Sequence, residues 1–286
     1  MTTSDLAGRT GRPFRMPVEL GKCREFHRAT RPTSWTKDQP HPVCSPVTFL
    51  ASARFWLAPE DSAWHGIDRD YRRVLHGEQE FTFSTGPPAI GAELTGIERI
   101  DRVYEKPGGR GTMEFTETVT NFVPIGGNDV VASLRATSIL LEQSSPGTVP
   151  TAVVPTWSAP EDHELVLALT DEPLTITDFV RYQGASGDFN PIHHDQAFAE
   201  AGGYPGPFAV GMLTAGVVGT LLSTLDDTAH LTRLVCRWKA QAWPGDALTY
   251  RIYEVPAPAT RRFVIHVARP SGQTHLQAQA YFRGLL

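Results

Sequence analysis

Apolar positions follow two rhythms along this chain, and the rhythms come in the same order twice. The first half opens on a helix-like stretch, GKCREFHRAT (21–30), then a Pro-rich loop. The apolar run SPVTFLASARFWLA (45–58) is long enough for a buried helix. Residues 78–84, 92–105, 111–122 and 129–142 alternate in polarity and are rich in β-branched and aromatic side chains, which predicts strands. Gly108–Gly109 between two of them reads as a hairpin turn. In the second half TITDFVRYQGAS (175–186) sets Phe179 and Tyr182 on one helical face. A short helix, DQAFAEA (195–201), and a long apolar one, VGMLTAGVVGTLLSTL (210–225), come next. Strands are expected at 231–242, 247–255, 261–269 and 274–283.

The repetition extends to residues. IGAELTG (90–96) matches PGDALTY (244–250), and EFHRAT (25–30) sits where RYQGAS (181–186) sits. A divergent duplication follows. The break falls in QSSPGTVPTAVVPTWSAPE, whose Pro, Ser and Thr content reads as a linker. The expected organisation is a disordered lead over 1–15, one domain over 16–142, the linker over 143–161 and a second domain over 162–286. Strands grouped after helices indicate an α+β class with the apolar helix packed on a sheet. The 210–225 helix is apolar nearly all round, so it is enclosed. An antiparallel sheet curled around one long helix is the hot-dog arrangement, here expected twice.

Bulk composition narrows the function. With 286 residues, 41% hydrophobic and 20% charged, the chain buries a real core. A net charge of -5 without blocks of like charge argues against nucleic acid as partner. Cys23, Cys44 and Cys236 are odd in number and widely spaced, which argues against a disulfide framework and a structural zinc site. The N-terminal MTTSDLAGRTGRPFR lacks an apolar secretory region, and no run of 18 apolar residues occurs. A cytoplasmic protein without a membrane span is expected.

The chemistry centres on SGDFNPIHHD (186–195). Asp, Asn, Gly and Pro form turns, and Asp195 is placed to cap the helix that follows. The combination says more. Asp188 and His193 flank a rigid Asn190–Pro191 corner, and Gly187 permits an unusual backbone angle before it. Such a corner aims a carboxylate and an imidazole into one pocket, where they can share a water for general acid/base work without a metal. Next, GPFAVGML (206–213) ends a Gly/Pro loop and starts the buried helix. Helix N-termini offer unpaired N–H groups and partial positive charge. Gly211 has no side chain to block a thioester carbonyl there, although close helix packing explains the glycine equally well.

SGDFNPIHHDQAFA followed by GPFAVGML resembles the MaoC-type, or (R)-specific, enoyl-thioester hydratase/dehydratase family, whose signature is Gly-Asp-x-Asn-Pro-hydrophobic-His with a small residue six positions later, here Ala199. MPVELGKCREFHRAT, SPVTF, LHGEQEFTF and GTMEFTETV are similar to the companion N-terminal dehydratase module. The resemblance implies a double hot dog in one chain and reversible syn addition of water to a trans-2-enoyl thioester, giving an (R)-3-hydroxyacyl thioester. It implies Asp188 and His193 as the catalytic pair, Asn190 as the residue orienting them or their loop, and Gly211 as a backbone donor to the thioester oxygen, with Met212 beside it at the substrate. No cofactor is implied beyond the coenzyme A or phosphopantetheine that carries the acyl group. The partners implied are an acyl-CoA or acyl carrier protein, and a homodimer is compatible. One departure stands out: Val210 replaces the family's usual His before Gly-Met.

The first half lacks the Gly-Asp-x-Asn-Pro-x-His pattern. Its nearest polar pair, Asp38 and His41, lies in a Pro-rich loop and reads as solvated. A non-catalytic first half would lend its space to a long or bulky acyl group. His194 carries no role in the resemblance, and His65, His76, His230, His266 and His275 read as surface or structural histidines. Trp238 and Trp243 read as core, and Arg237 with Lys239 as a solvated face, with phosphate contact as the sharper alternative. Competing functions are a thioesterase, a pathway-specific dehydratase on a carrier-bound polyketide or fatty-acyl intermediate, and a non-catalytic acyl-thioester-binding subunit.

Overall fold

Every segment that alternates in polarity becomes a strand, and all the strands join one antiparallel sheet. The computed structural model describes residues 6–32, 44–108, 111–141 and 157–284. The strands are β1 (Phe14–Pro17), β2 (Val74–Phe83), β3 (Glu93–Gly108), β4 (Gly111–Pro124), β5 (Ala132–Leu141), β6 (Glu164–Thr170), β7 (Leu231–Trp238), β8 (Thr249–Val255), β9 (Thr260–Ala268) and β10 (Thr274–Arg283). Their order across the sheet is β1-β3-β4-β5-β2-β7-β10-β9-β8-β6. The double hot dog is present, but its two sheets are continuous. They meet where β2 pairs with β7, Phe81 opposite Leu234 and Glu78 opposite Arg237. Phe81 and Leu234 are fully buried at that junction. Arg233 reaches Glu80 across it at 2.6 Å, and Arg237 pairs with Glu78.

Four α-helices stand near their predicted positions: α1 (Leu20–Thr30), α2 (Ile176–Ser186), α3 (Gln196–Ala201) and α4 (Gly211–Leu222). A capping box starts α2: the Thr175 hydroxyl accepts from Asp178 N at 3.2 Å, and Asp178 Oδ2 accepts from Thr175 N at 2.9 Å. In α4 every residue from Met212 to Leu222 is buried, as an apolar circumference requires. Gly216 shows how tightly it is held, because a Cβ there would run into the Thr30 side chain of α1. The helix of the second half is thus roofed by the first. Phe26 of α1 meets Phe49 at 5.6 Å and Tyr182 of α2 at 5.7 Å, and one buried cluster runs through both halves.

Four expectations need correction or completion. The 45–58 run does not form a long helix; only Phe49–Phe55 coils, as a 3-10 helix with i→i−3 bonds such as Ala51 N to Thr48 O at 3.0 Å. Pro46 stands at the second position of the run and Pro59 just after it, and Val47 and Thr48 pack against Gly219 of α4. The described part of the lead is ordered: Gly8 N donates to Ile100 O and Gly11 N to Glu98 O, both at 2.8 Å, and β1 pairs with β3. Leu6 packs with Ala63 and Ile100, which explains why this stretch stays down. β6 went unread from sequence and closes the far edge against β8. Residues 143–156 of the linker lie outside the described residues, whereas Trp157 stacks on His266 at 4.1 Å.

Candidate active site

The end of α2 aims the motif. Gly187 takes φ 76, the left-handed value that ends a helix, and its N–H bonds to Gln183 O at 2.9 Å. The phenyl ring of Phe55, from the first half, lies 3.1 Å from where a Cβ on Gly187 would stand. Asn190 then caps the single 3-10 turn Pro191–His193, its Oδ1 accepting from Ile192 N at 3.2 Å, while its own N–H donates to Asp188 Oδ1 at 3.4 Å. Asp195 caps α3 by accepting from Phe198 N at 2.9 Å.

This corner turns His193 inward. The ring is only 8% exposed, with Nδ1 2.8 Å from Phe208 O. A carbonyl only accepts, so Nδ1 carries the proton and Nε2 keeps its lone pair. Phe208 belongs to the GPFAVGML segment, and its ring meets His193 edge-on at 5.2 Å. Burial pushes the His193 pKa below the ordinary value; Asp188 and the Phe208 carbonyl oppose this without cancelling it. Asp188 titrates in the other sense. Burial alone would favour its neutral form, but Arg54, His193, the Asn190 N–H and His76 outweigh it and hold the carboxyl below its usual range. At neutral pH the pair is therefore a carboxylate and a neutral imidazole, each within the other's field.

Gly211 opens α4, so its N–H lies outside the helix's own hydrogen bonds. Its carbonyl accepts from Trp238 Nε1 at 3.0 Å and from Thr214 Oγ1 at 2.8 Å. A Cβ on Gly211 would stand 2.9 Å from Trp238 Cε2, so an indole fills the space that the missing side chain leaves. Close packing therefore accounts for the glycine. Met212 points into the core, 5% exposed, and Val210 is buried.

The first half supplies site groups that sequence reading missed. His76 on β2 lies over Trp238, ring centroids 4.4 Å apart, with Nε2 buried and unbonded. Burial lowers its pKa to about 4. Arg54, exposed on the 3-10 helix, lends positive charge to Asp188. Gln183, in the second half, is a third omission: it lies 2% exposed against the Asp188–Asn190 loop and bonds to it. Only knowledge that β2 adjoins β7 brings His76 to Trp238, and no local signal carries that. Asp38 and His41 lie outside the described residues. Arg237 is tied to Glu78, and Lys239 is exposed. Buried His275 bonds Thr214 Oγ1 and Ala240 O, a structural role as expected. A cavity of about 600 Å³ is lined by Ile176, His194, Gln196 and Trp243 among others; neither Asp188 nor His193 lines it.

Comparison with known proteins follows this division. Residues 161–270 match the family described as MaoC like domain, and residues 5–132 match the FAS1-like, dehydratase domain region. A protein of Dictyostelium discoideum named probable enoyl-CoA hydratase 2 is 26% identical over 197 residues, 66% of this chain and 64% of that protein. The match thus spans less than two thirds of the relative's length. Among solved structures, a MaoC-like dehydratase superposes with TM-score 0.76 and 20% identity, covering 98% of this chain and all of that one. A double hot-dog protein of Mycobacterium tuberculosis superposes with TM-score 0.61 and 14% identity, covering 99% of this chain and 98% of that one. At such identities the superpositions speak for the fold. A FAS1-like dehydratase region thus matches the first half of the chain, and a MaoC-like domain matches the second half, which carries the Asp188–His193 corner.

Proposed function

We propose that this protein is a hydro-lyase that adds water reversibly to a trans-2-enoyl thioester, giving an (R)-3-hydroxyacyl thioester. The observation that carries the reading is the geometry of the corner: Asn190 caps the turn that follows Asp188, and the buried His193 sets Nδ1 2.8 Å from Phe208 O, which leaves Nε2 as the base. A water bonded to both loses a proton to one of these bases as its oxygen attacks C3. The electron pair of the C2–C3 double bond moves toward the thioester carbonyl, and C2 then takes up a proton from the same site. Water's two hydrogens end on the new hydroxyl and on C2. The Gly211 N–H at the start of α4 is the donor we assign to the thioester oxygen as negative charge develops. Asn190 holds the turn that presents the pair. The carrier is coenzyme A, as the name of the Dictyostelium relative suggests, with carrier-protein thioesters of polyketide or fatty-acyl intermediates as the alternative.

The test is hydration of crotonyl-CoA and a longer enoyl-CoA, followed by loss of enoyl-thioester absorbance, with chiral analysis of the product. Asp188→Asn and His193→Ala should each lower kcat by about 10²–10⁴-fold while the protein stays folded. Full activity in either variant refutes the assignment. Thiol release would indicate a thioesterase. Saturable acyl-CoA binding without turnover would indicate the acyl-binding subunit, the reading that Val210 favours.

A further inference from the structure

The loop that presents Asp188 is held by side chains more than by its backbone. Asp188 N donates to Ser186 Oγ at 3.2 Å, and Asn190 N donates to Asp188 Oδ1. Its two outward carbonyls converge on one group: Gln183 Nε2 donates to Asp188 O at 2.9 Å and to Asn190 O at 3.0 Å. Gln183 sits one helical turn before Gly187, so its main-chain carbonyl holds the helix end while its amide holds the loop.

The amide has one workable orientation. Turned over, its oxygen would face two carbonyl oxygens, with no donor between them. With Nε2 on the carbonyls, Oε1 is left facing His194 Nδ1 at 2.8 Å, and an oxygen there requires a proton on Nδ1. His194 thereby fixes Gln183, and Gln183 fixes the Asp188–Phe189 and Asn190–Pro191 peptide units. His194 also lines the cavity shared with Ile176 and Trp243.

We infer that Gln183, locked by His194, is a positioning residue for Asp188: its two donated hydrogen bonds keep the carboxylate in register with His193. The inference rests on the hydratase reading for its catalytic consequence, but its geometry is independent of that reading.

The test uses the full chain. Gln183→Met keeps the volume and removes the donor; Gln183→Glu keeps the shape and sets oxygens against the two carbonyls. With crotonyl-CoA, Gln183→Met should lower kcat by about 10–100-fold, because misplacement of order 1 Å costs about that much, and should leave KM within roughly threefold. Gln183→Glu is expected to be as damaging at pH 7.5 but to regain activity toward pH 5.5, since a buried carboxyl titrates high and its protonated form donates one bond. The ratio of turnover in Gln183→Glu to that in Gln183→Met should rise at least about threefold over that range. A packing role alone predicts parallel pH profiles. Long-range ¹H–¹⁵N spectra supply a readout besides activity: His194 should be the Nδ1–H tautomer in the wild type and lose that preference in Gln183→Met. Wild-type kcat in the folded Gln183→Met protein, a loss confined to KM, parallel pH profiles, or an Nε2–H tautomer of His194 in the wild type would overturn the inference. Inactive wild type, or active Asp188→Asn, would instead sink the hydratase reading, and the tautomer result would still decide the clamp.

Discussion

Replacing Gly211 by Ala tests the geometry at the mouth of α4 most directly. The new methyl would stand 2.9 Å from Trp238 Cε2 and 3.0 Å from Nε1, where carbon contacts settle near 3.5–4.0 Å. The indole must therefore retreat by roughly 0.5–1 Å. Its freedom is limited, because the His76 ring packs against it at 4.4 Å between centroids. Overpacking of this kind costs about 1–3 kcal/mol, and losing the Trp238 Nε1–Gly211 O bond adds about 1 kcal/mol. Better helix propensity returns up to about 1 kcal/mol. The net expectation is a loss of about 1–3 kcal/mol, read as a Tm drop of roughly 2–6 °C. Turnover should fall more than stability suggests. Removing an oxyanion donor outright costs about 10²–10³ in kcat, so displacing the N–H at position 211 should cost about 10–10²-fold. A double-mutant cycle with Trp238→Phe, measured by urea denaturation and enoyl-CoA hydration, isolates the clash. The smaller ring leaves room for the methyl, so the double variant should be more stable than the sum of the singles by at least about 0.5 kcal/mol. Additivity, or a Gly211→Ala protein as stable and active as wild type, would show that the indole does not close off this position.

Two further outcomes follow from protonation. His193 is held below its ordinary pKa and Asp188 below its own, so both are already in their working forms at pH 7. Thus kcat/KM should stay flat from about pH 8 down through 6.5, the ordinary His value, and fall only below it; a fall already complete at pH 6.5 would contradict the neutral-imidazole assignment. His275 has a folded pKa of about 4 against about 6.5 unfolded, so it weakens the fold as the unfolded chain takes up its proton between those values and has no effect above them. Acidification from pH 7 to 4.5 should cost His275→Gln about 2–3 kcal/mol less than wild type in urea denaturation, and an equal cost in both would refute the burial argument.

What was legible in the sequence was whatever is written locally. Asp188, Asn190 and His193 fall within six residues of one another, so the corner they form could be read directly. The helix α4 announced its enclosure through an apolar circumference, and the central strands through alternation. Edge strands were harder. β1 alternates through Phe14, Met16 and Val18, but amid the Arg and Gly of a lead that looked solvated, and β6 alternates through half-exposed leucines just past a linker-like segment. His76 and Arg54 were out of reach for another reason. Their importance comes from β2 lying against β7 and from a 3-10 helix packed over Gly187, contacts between residues far apart in the chain. Gln183 was visible only as one more helix position, because its role depends on where two carbonyls turn.

The junction of β2 and β7 also bears on how this chain divides its labour. Two identical subunits meeting along such an edge would each have to keep one surface fit for both chemistry and support. Fusion removes that obligation. One half is free to shed its own reactive pair and specialise as scaffold and electrostatic neighbour, while the other keeps the reaction. The price is asymmetry: a substitution at position 54 or 76 alters the field at a carboxylate, Asp188, that stands more than a hundred residues away in the chain.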